Sequence, residues 1–271
     1  MDAPVEVDPP ACPLAPRPLR LEPMSTWPRA VLFDFDGVIV NSEPLHFQAL
    51  SEVLAAEHVD LREDEYYREL IGFDDRGTLK YLFAKRNRPL EPKTLLSLMA
   101  RKSRVMMDLI RRRQFAALPG VEQFVRDLWR RCPLGICSGA LRDEIEAMLE
   151  GVSLRDCFSV ITAAEDVTVG KPDPQGYLLT MNLLSDRITD RITPAPAGAQ
   201  AAAARKPLKP VDCLVVEDAP TVIRSVKAVG FPVLAVASSY PLMKLTDADW
   251  SVKTLRPDEV MEQVPQLNLT A

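Results

Sequence analysis

The sequence predicts an α/β protein, a doubly wound parallel sheet with a smaller all-helical domain inserted after its first strand. Three observations lead there. Apolar runs at 30–35, 134–137, 158–162, 213–216 and 233–237 are continuous rather than alternating, as strands buried on both faces are. Between them lie stretches with apolar residues at helical spacing, and strand–helix alternation of this kind gives a parallel sheet covered by helices. From about 45 to 115 the helical patterns continue without a strand, which predicts a separate helical cap.

In chain order, residues 1–27 are rich in proline and lack hydrophobic periodicity, so they read as a disordered arm. The catalytic core then takes 28–44 and 116–271, and the cap takes 45–115. Val121, Phe124, Val125 and Leu128 mark one amphipathic helix, and Leu141, Ile145, Met148 and Leu149 a second. Val222, Ile223, Val226 and Val229 mark a third, which starts at Pro220 and stops at Gly230. A proline- and alanine-rich stretch at 185–210 interrupts the core and reads as a long flexible insertion.

Composition removes several function classes. At 271 residues, 47% of them hydrophobic, the chain can bury a core without cross-links. A net charge of -5 and the lack of a basic block leave no electrostatic footprint for nucleic acid. The triplet Arg111-Arg112-Arg113 is the nearest approach, and it suits the negative end of a helix. Five cysteines without CxxC spacing argue for reduced thiols in a cytoplasmic setting. Neither a signal-like segment nor an apolar run long enough to cross a membrane is found. Oligomeric state is not legible, and a monomer fits.

Four segments carry candidate chemistry, each at the carboxyl end of a predicted strand. The first, Val31-Leu32-Phe33-Asp34-Phe35-Asp36-Gly37-Val38, ends a buried strand in two acids that need a counter-charge. A divalent cation would supply it, although Asp36-Gly37 is also a hairpin-turn signal. The second, Cys137-Ser138-Gly139, offers a hydroxyl and open backbone N–H groups to a phosphate, or a plain helix cap. In the third, Gly170-Lys171-Pro172-Asp173-Pro174, the prolines fix the backbone that carries Lys171; an exposed lysine in a turn is the alternative. The fourth, Val215-Val216-Glu217-Asp218-Ala219-Pro220, brings two more acids. Asp218 could ligate a cation or cap a helix, and Glu217 could ligate it or support a ligand from behind. Four such edges converge in a doubly wound sheet, giving a phosphate-plus-magnesium site with two to four metal carboxylates drawn from Asp34, Asp36, Glu217 and Asp218.

In this order the segments resemble the four motifs of the haloacid dehalogenase-like superfamily, over nearly the whole chain from Pro28. The inserted cap is similar to that of the β-phosphoglucomutase and phosphosugar phosphatase subgroup. The resemblance implies a Mg²⁺-dependent phosphatase acting on a small phosphorylated metabolite, most simply a sugar phosphate. Asp34 would be the nucleophile, Asp36 the general acid and base, and Ser138, Gly139 and Lys171 the phosphate-binding groups. His46, Gly72 and Arg76 fall where that subgroup contacts substrate. A phosphomutase is the alternative, and a phosphate-binding regulatory protein without turnover a second one. The fourth motif departs from the family pattern at Ala219 and Val222, which puts helix packing beside the site in question.

Overall fold

The computed structural model describes residues 27–71, 73–190 and 206–269. Its sheet has six parallel strands in the order β3-β2-β1-β4-β5-β6. They are β1 (Ala30–Phe33), β2 (Leu134–Cys137), β3 (Phe158–Thr162), β4 (Cys213–Glu217), β5 (Val233–Val236) and β6 (Trp250–Val252). The first five fall where the continuous apolar runs predict them. The sixth escapes the pattern because it is three residues long and half-exposed at two of them.

β1 lies between β2 and β4, with Leu32 opposite Gly135 on one side and Val215 on the other. All four of its residues are fully buried. Successive side chains point to opposite faces, so Val31 and Phe33 enter one apolar cluster while Ala30 and Leu32 enter the other. Phe33 meets Phe124 and Phe158 edge to face, with ring centroids 6.0 and 5.8 Å apart. The chain leaves β1 toward β2 and β3, then returns to add β4, β5 and β6 on the other side. The carboxyl ends of β1 and β4 therefore flank the crevice where the strand order reverses.

Four helices follow β1: α1 (Glu43–Ala55), α2 (Glu63–Glu69), α3 (Asp75–Lys85) and α4 (Pro92–Arg111). They enclose a cluster of their own, built from Leu50, Leu54, Tyr66, Leu79, Leu82 and Leu98 among others. Leu82 is fully buried there, and truncating such a side chain to alanine costs about 2–5 kcal/mol. Asp74 starts α3 by accepting a hydrogen bond from Gly77 N at 2.6 Å. Leu45 and Ala49 of α1, with Met106, Leu109 and Ile110 of α4, belong instead to the cluster under the sheet. The two helices that join the insert to the core are thus packed into both.

The remaining helices are α5 (Val121–Trp129), α6 (Arg142–Gly151), α7 (Gln175–Asp190), α8 (Pro220–Ala228) and α9 (Pro257–Gln263). Two sequence expectations change. Residues 185–190 are not part of a loose insertion, because α7 continues through them; residues 191–205 lie outside the described residues. The arm expected over 1–27 ends in an anchored residue. Trp27 packs on Trp250 at 5.6 Å and donates its indole N–H to Val211 O at 3.0 Å. Residues 1–26 lie outside the described residues.

Candidate active site

Asp34 is the first residue past β1, held in line by its backbone N–H to Val216 O at 2.9 Å. Glu217 ends β4 next to it, and Asp218 follows. One carboxylate oxygen from each of Asp34, Glu217 and Asp218 lies within 4.8 Å of the others. All three side chains are buried, so their like charges meet in a medium that screens poorly. Burial and the neighbouring acids raise the Asp34 pKa well above its usual value, against the pull of Lys171. Burial and Glu217 raise Asp218 to about 7. A set of hard oxygen donors that cannot all ionise comfortably is what a divalent cation stabilises, and the residues present fit Mg²⁺.

Lys171 comes from the loop ahead of α7 and points into this cluster. Its Nζ donates to Asp34 Oδ1 at 2.6 Å, to Glu217 Oε1 at 2.9 Å and to the Tyr177 hydroxyl at 3.1 Å. Burial lowers its pKa, but the two carboxylates raise it further, so the ammonium stays charged. Glu217 is fully buried and bonded at both oxygens. Oε1 accepts from Lys171 and Tyr177, while Oε2 accepts from Asp218 N and Ala219 N at 2.7 Å each. This also accounts for Ala219. It stands at the N-cap of α8 without a capping side chain, and the Glu217 carboxylate takes up its N–H instead. Val222 is buried in the apolar cluster beneath.

Asp36 stands apart. Its sequence position counts it among the four candidate metal carboxylates, yet it does not belong to the acidic triplet. Phe35 and Asp36 begin a tight loop in which the N–H groups of Ile39 and Val40 turn back to Phe35 O, and this carries the Asp36 side chain toward the cap. There it accepts hydrogen bonds from Ser42 and, at 3.2 Å, from Ser138, and His46 Nε2 lies 3.7 Å away. Burial raises its pKa, but the hydrogen bonds and His46 outweigh that and leave it below its usual value. Gly37 lets the loop pass the metal cluster. Its φ is +78°, and a Cβ there would overlap Asp218 Oδ2.

Ser138 follows β2 but is not the cap of α6, a place that Leu141 takes three residues later. Its hydroxyl bridges Ala140 N and Asp36, both within 3.2 Å. Beside it Gly139 faces open space, and a Cβ at that position would have nothing within 4 Å. His46, on α1, receives a bond from Lys102 Nζ at Nδ1, 2.8 Å away, so the neutral ring carries its proton on Nε2, facing Asp36. Burial and Lys102 lower the His46 pKa, Asp36 and Asp75 raise it, and the net shift is upward. Arg76 lines the cavity from α3 and is exposed. Gly72 lies outside the described residues.

Five participants escape sequence reasoning: Ser42, Lys102, Tyr177, Ser238 and Ser239. Ser42 has a legible signal, since it sits where a helix cap belongs, but its hydroxyl serves Asp36 instead of capping α1. Ser238 donates to Gly37 O and, at 3.2 Å, to Asp218 Oδ2, and Ser239 also bonds Asp218. Lys102 comes from mid-α4 and is 1% exposed, paired with Asp75 at 3.1 Å. Nothing local to its sequence marks it. Lys102 and Ser239, with Asp34, Asp36, Ser138, Lys171, Glu217 and Asp218, border one cavity of about 600 Å³ between the cap helices and the carboxyl ends of the strands.

The haloacid dehalogenase-like hydrolase family matches residues 31–236, and the chain belongs to it. Among curated proteins, a phosphorylated carbohydrates phosphatase of Thermotoga maritima is 30% identical over 164 residues, which is 58% of this chain and 70% of that protein. Protein CbbY of Rhodobacter capsulatus is 26% identical over 88% of this chain and 98% of its own length. Among solved structures, CbbY from Rhodobacter sphaeroides in complex with phosphate superposes with a TM-score of 0.72 at 20% identity, covering 89% of this chain and 99% of that one. Family, fold and relatives together support a phosphoric monoester hydrolase. Among the described residues no helix is long and apolar enough to cross a membrane.

Proposed function

We propose that this protein is a Mg²⁺-dependent phosphatase that hydrolyses a small phosphorylated metabolite, most simply a sugar phosphate, through a phosphorylated Asp34. The observation that carries this reading is the meeting of Asp34 with Glu217, Asp218 and the Lys171 ammonium at one end of the cavity. Such a constellation binds a phosphoryl group and leaves a carboxylate at its phosphorus.

Asp34 and Asp218 would hold the cation directly, with Glu217 beside them as a third donor that also fixes Lys171. A Mg²⁺ ion held by these carboxylates would supply positive charge to offset that of the phosphate oxygens. An Asp34 oxygen attacks phosphorus as the bond to the leaving oxygen breaks, and Asp36 gives that oxygen its proton. Asp36 then takes a proton from water, the water oxygen attacks the same phosphorus, and the Asp34 carboxylate leaves. Lys171, Ser138 and the Gly139 N–H face the spread negative charge in both steps. The low pKa of Asp36 suits its part as base. Its part as acid needs a proton taken up with the substrate, and an arriving phosphate dianion favours that.

The test is phosphate release from a panel of phosphorylated sugars with Mg²⁺, on the parent chain and on Asp34→Asn. Loss of turnover by at least about a thousandfold, together with loss of acid-stable labelling by a ³²P substrate, is expected. Turnover retained in Asp34→Asn would remove that residue as nucleophile. A β-glucose 1-phosphate incubation with a bisphosphate primer separates the alternative: free phosphate marks a phosphatase, glucose 6-phosphate a mutase.

A further inference from the structure

All three donors of the Lys171 ammonium are engaged. They go to Asp34 Oδ1 at 2.6 Å, to Glu217 Oε1 at 2.9 Å and to the Tyr177 hydroxyl at 3.1 Å. The Tyr177 hydroxyl in turn donates to Glu217 Oε1 at 3.2 Å, so Lys171, Tyr177 and Glu217 close a ring of three hydrogen bonds. Tyr177 lies in the first turn of α7 and is fully buried. Its ring packs on Phe231, with centroids 6.5 Å apart, and the Lys171 nitrogen sits 4.9 Å from the Tyr177 ring centroid. The rest of the side chain belongs to an apolar cluster, where a ring without a hydroxyl would serve the packing. Only the ion pair uses the oxygen.

Phosphoryl transfer asks that ammonium to follow a moving charge. While Asp34 is a free carboxylate, the N–H on Oδ1 offsets its charge. Once Asp34 bonds to phosphorus, the charge passes to the phosphoryl oxygens, and a donor is needed there. Two of the three N–H groups rest on fixed acceptors, Tyr177 and Glu217, both fully buried. The third, on Asp34, is the one that can be handed on. A hold at two points sets the direction in which it points, whereas with Glu217 alone the ammonium could turn about a single bond.

Resting on the phosphatase reading, we propose that Tyr177 is a positioning residue for phosphoryl transfer: its hydroxyl, together with Glu217, aims the Lys171 ammonium so that the N–H now on Asp34 passes to a phosphoryl oxygen as the bond to phosphorus forms. Tyr177 lies behind the cavity wall and not on it, so it touches neither substrate nor cation. Its effect therefore falls on the transition state, and the affinity for phosphate or for Mg²⁺ does not depend on it.

Orthovanadate and phosphate separate the two states, because vanadate takes the five-coordinate geometry of a phosphoryl group in flight and phosphate does not. Each is titrated with Mg²⁺ into the full chain, as parent and as Tyr177→Phe. The parent should bind vanadate at least about a hundredfold tighter than phosphate. Tyr177→Phe should lose about tenfold of that preference, the scale of one hydrogen bond to a charged group, while its affinities for phosphate and Mg²⁺ stay within about twofold of the parent's. An unchanged preference overturns the proposal. So does a common weakening of both anions, which is what a merely structural role gives. A parent without the preference sinks the phosphatase reading and this role with it, whereas a preference kept in both chains sinks the role of Tyr177 alone. A second measurement needs no Tyr177 variant. The Lys171 ammonium of the parent, identified by its absence from Lys171→Arg, should give a ¹H–¹⁵N signal protected from water exchange in the vanadate complex. Rapid exchange there would mean that the ammonium is not held, and would equally overturn the proposal.

Discussion

Lys171 reaches Asp34 across 137 residues of sequence, its ammonium 2.6 Å from Oδ1, and the same nitrogen lies 2.9 Å from Glu217 Oε1. One cation thus ties the ends of β1 and β4 together. Its positive charge is what allows two buried carboxylates to stand side by side.

Replacing it should cost stability as well as turnover. Lys171→Met leaves Glu217 buried with no cation, and breaking a buried pair in this way costs about 3–5 kcal/mol. Urea denaturation should show the midpoint falling without Mg²⁺ and partly recovering as Mg²⁺ is added. A variant as stable as the parent would mean that the buried pair of Lys171 and Glu217 contributes nothing to stability.

Asp36 and Asp218 should separate in their effects, because their side chains point into different environments. Asp36→Asn should lower turnover by about 10²–10⁴-fold while Mg²⁺ affinity stays near that of the parent. Asp218→Asn should weaken Mg²⁺ binding itself. Isothermal titration of Mg²⁺ checks both, and a matching loss of affinity in the two variants would return Asp36 to the metal site.

Gly37→Ala tests the close passage of the loop. The added methyl group would collide with Asp218 Oδ2, in a backbone region that an L side chain adopts at a cost of about 1–3 kcal/mol. Lower thermal stability and a higher Mg²⁺ requirement are expected together. A drop in stability with unchanged Mg²⁺ dependence would show that the loop yields without moving Asp218.

Alkaline pH should expose the buried thiols. Burial pushes Cys213 and Cys132 up to about 12, whereas an unfolded thiol ionises near roughly 8.5. Above that lower value the unfolded chain holds fewer protons than the folded one, so stability falls as pH rises toward about 12. Each thiol contributes about 1.4 kcal/mol per pH unit in that window and nothing below it. Cys213→Ala should flatten the slope by one such share in denaturation series from about pH 8 to 11. An unchanged slope would mean that Cys213 ionises in the folded state.

The sheet was legible because its central strands are buried on both faces, and only apolar residues tolerate that; 30–33, 134–137 and 213–216 could hardly be read otherwise. The acids at 34, 217 and 218 were legible for the opposite reason, since charge at the end of such a strand needs a partner. β6 was not, being short and half-exposed at the sheet edge. The helical start of the 185–210 stretch was masked by the proline and alanine bias that follows it.

Sequence alone determined the parallel core, the helical insert and the segments whose strand ends converge, because hydrophobic period and strand-end charge are local properties. The partners of each acid were decided only in the folded molecule. Asp34 and Asp36 are two residues apart, yet the turn after Phe35 sends one to the triplet and the other to Ser42, Ser138 and His46. Lys102 and Tyr177 carry no local mark at all. A side chain's electrostatic surroundings come from every element packed against it, and packing is not written in any single stretch of chain.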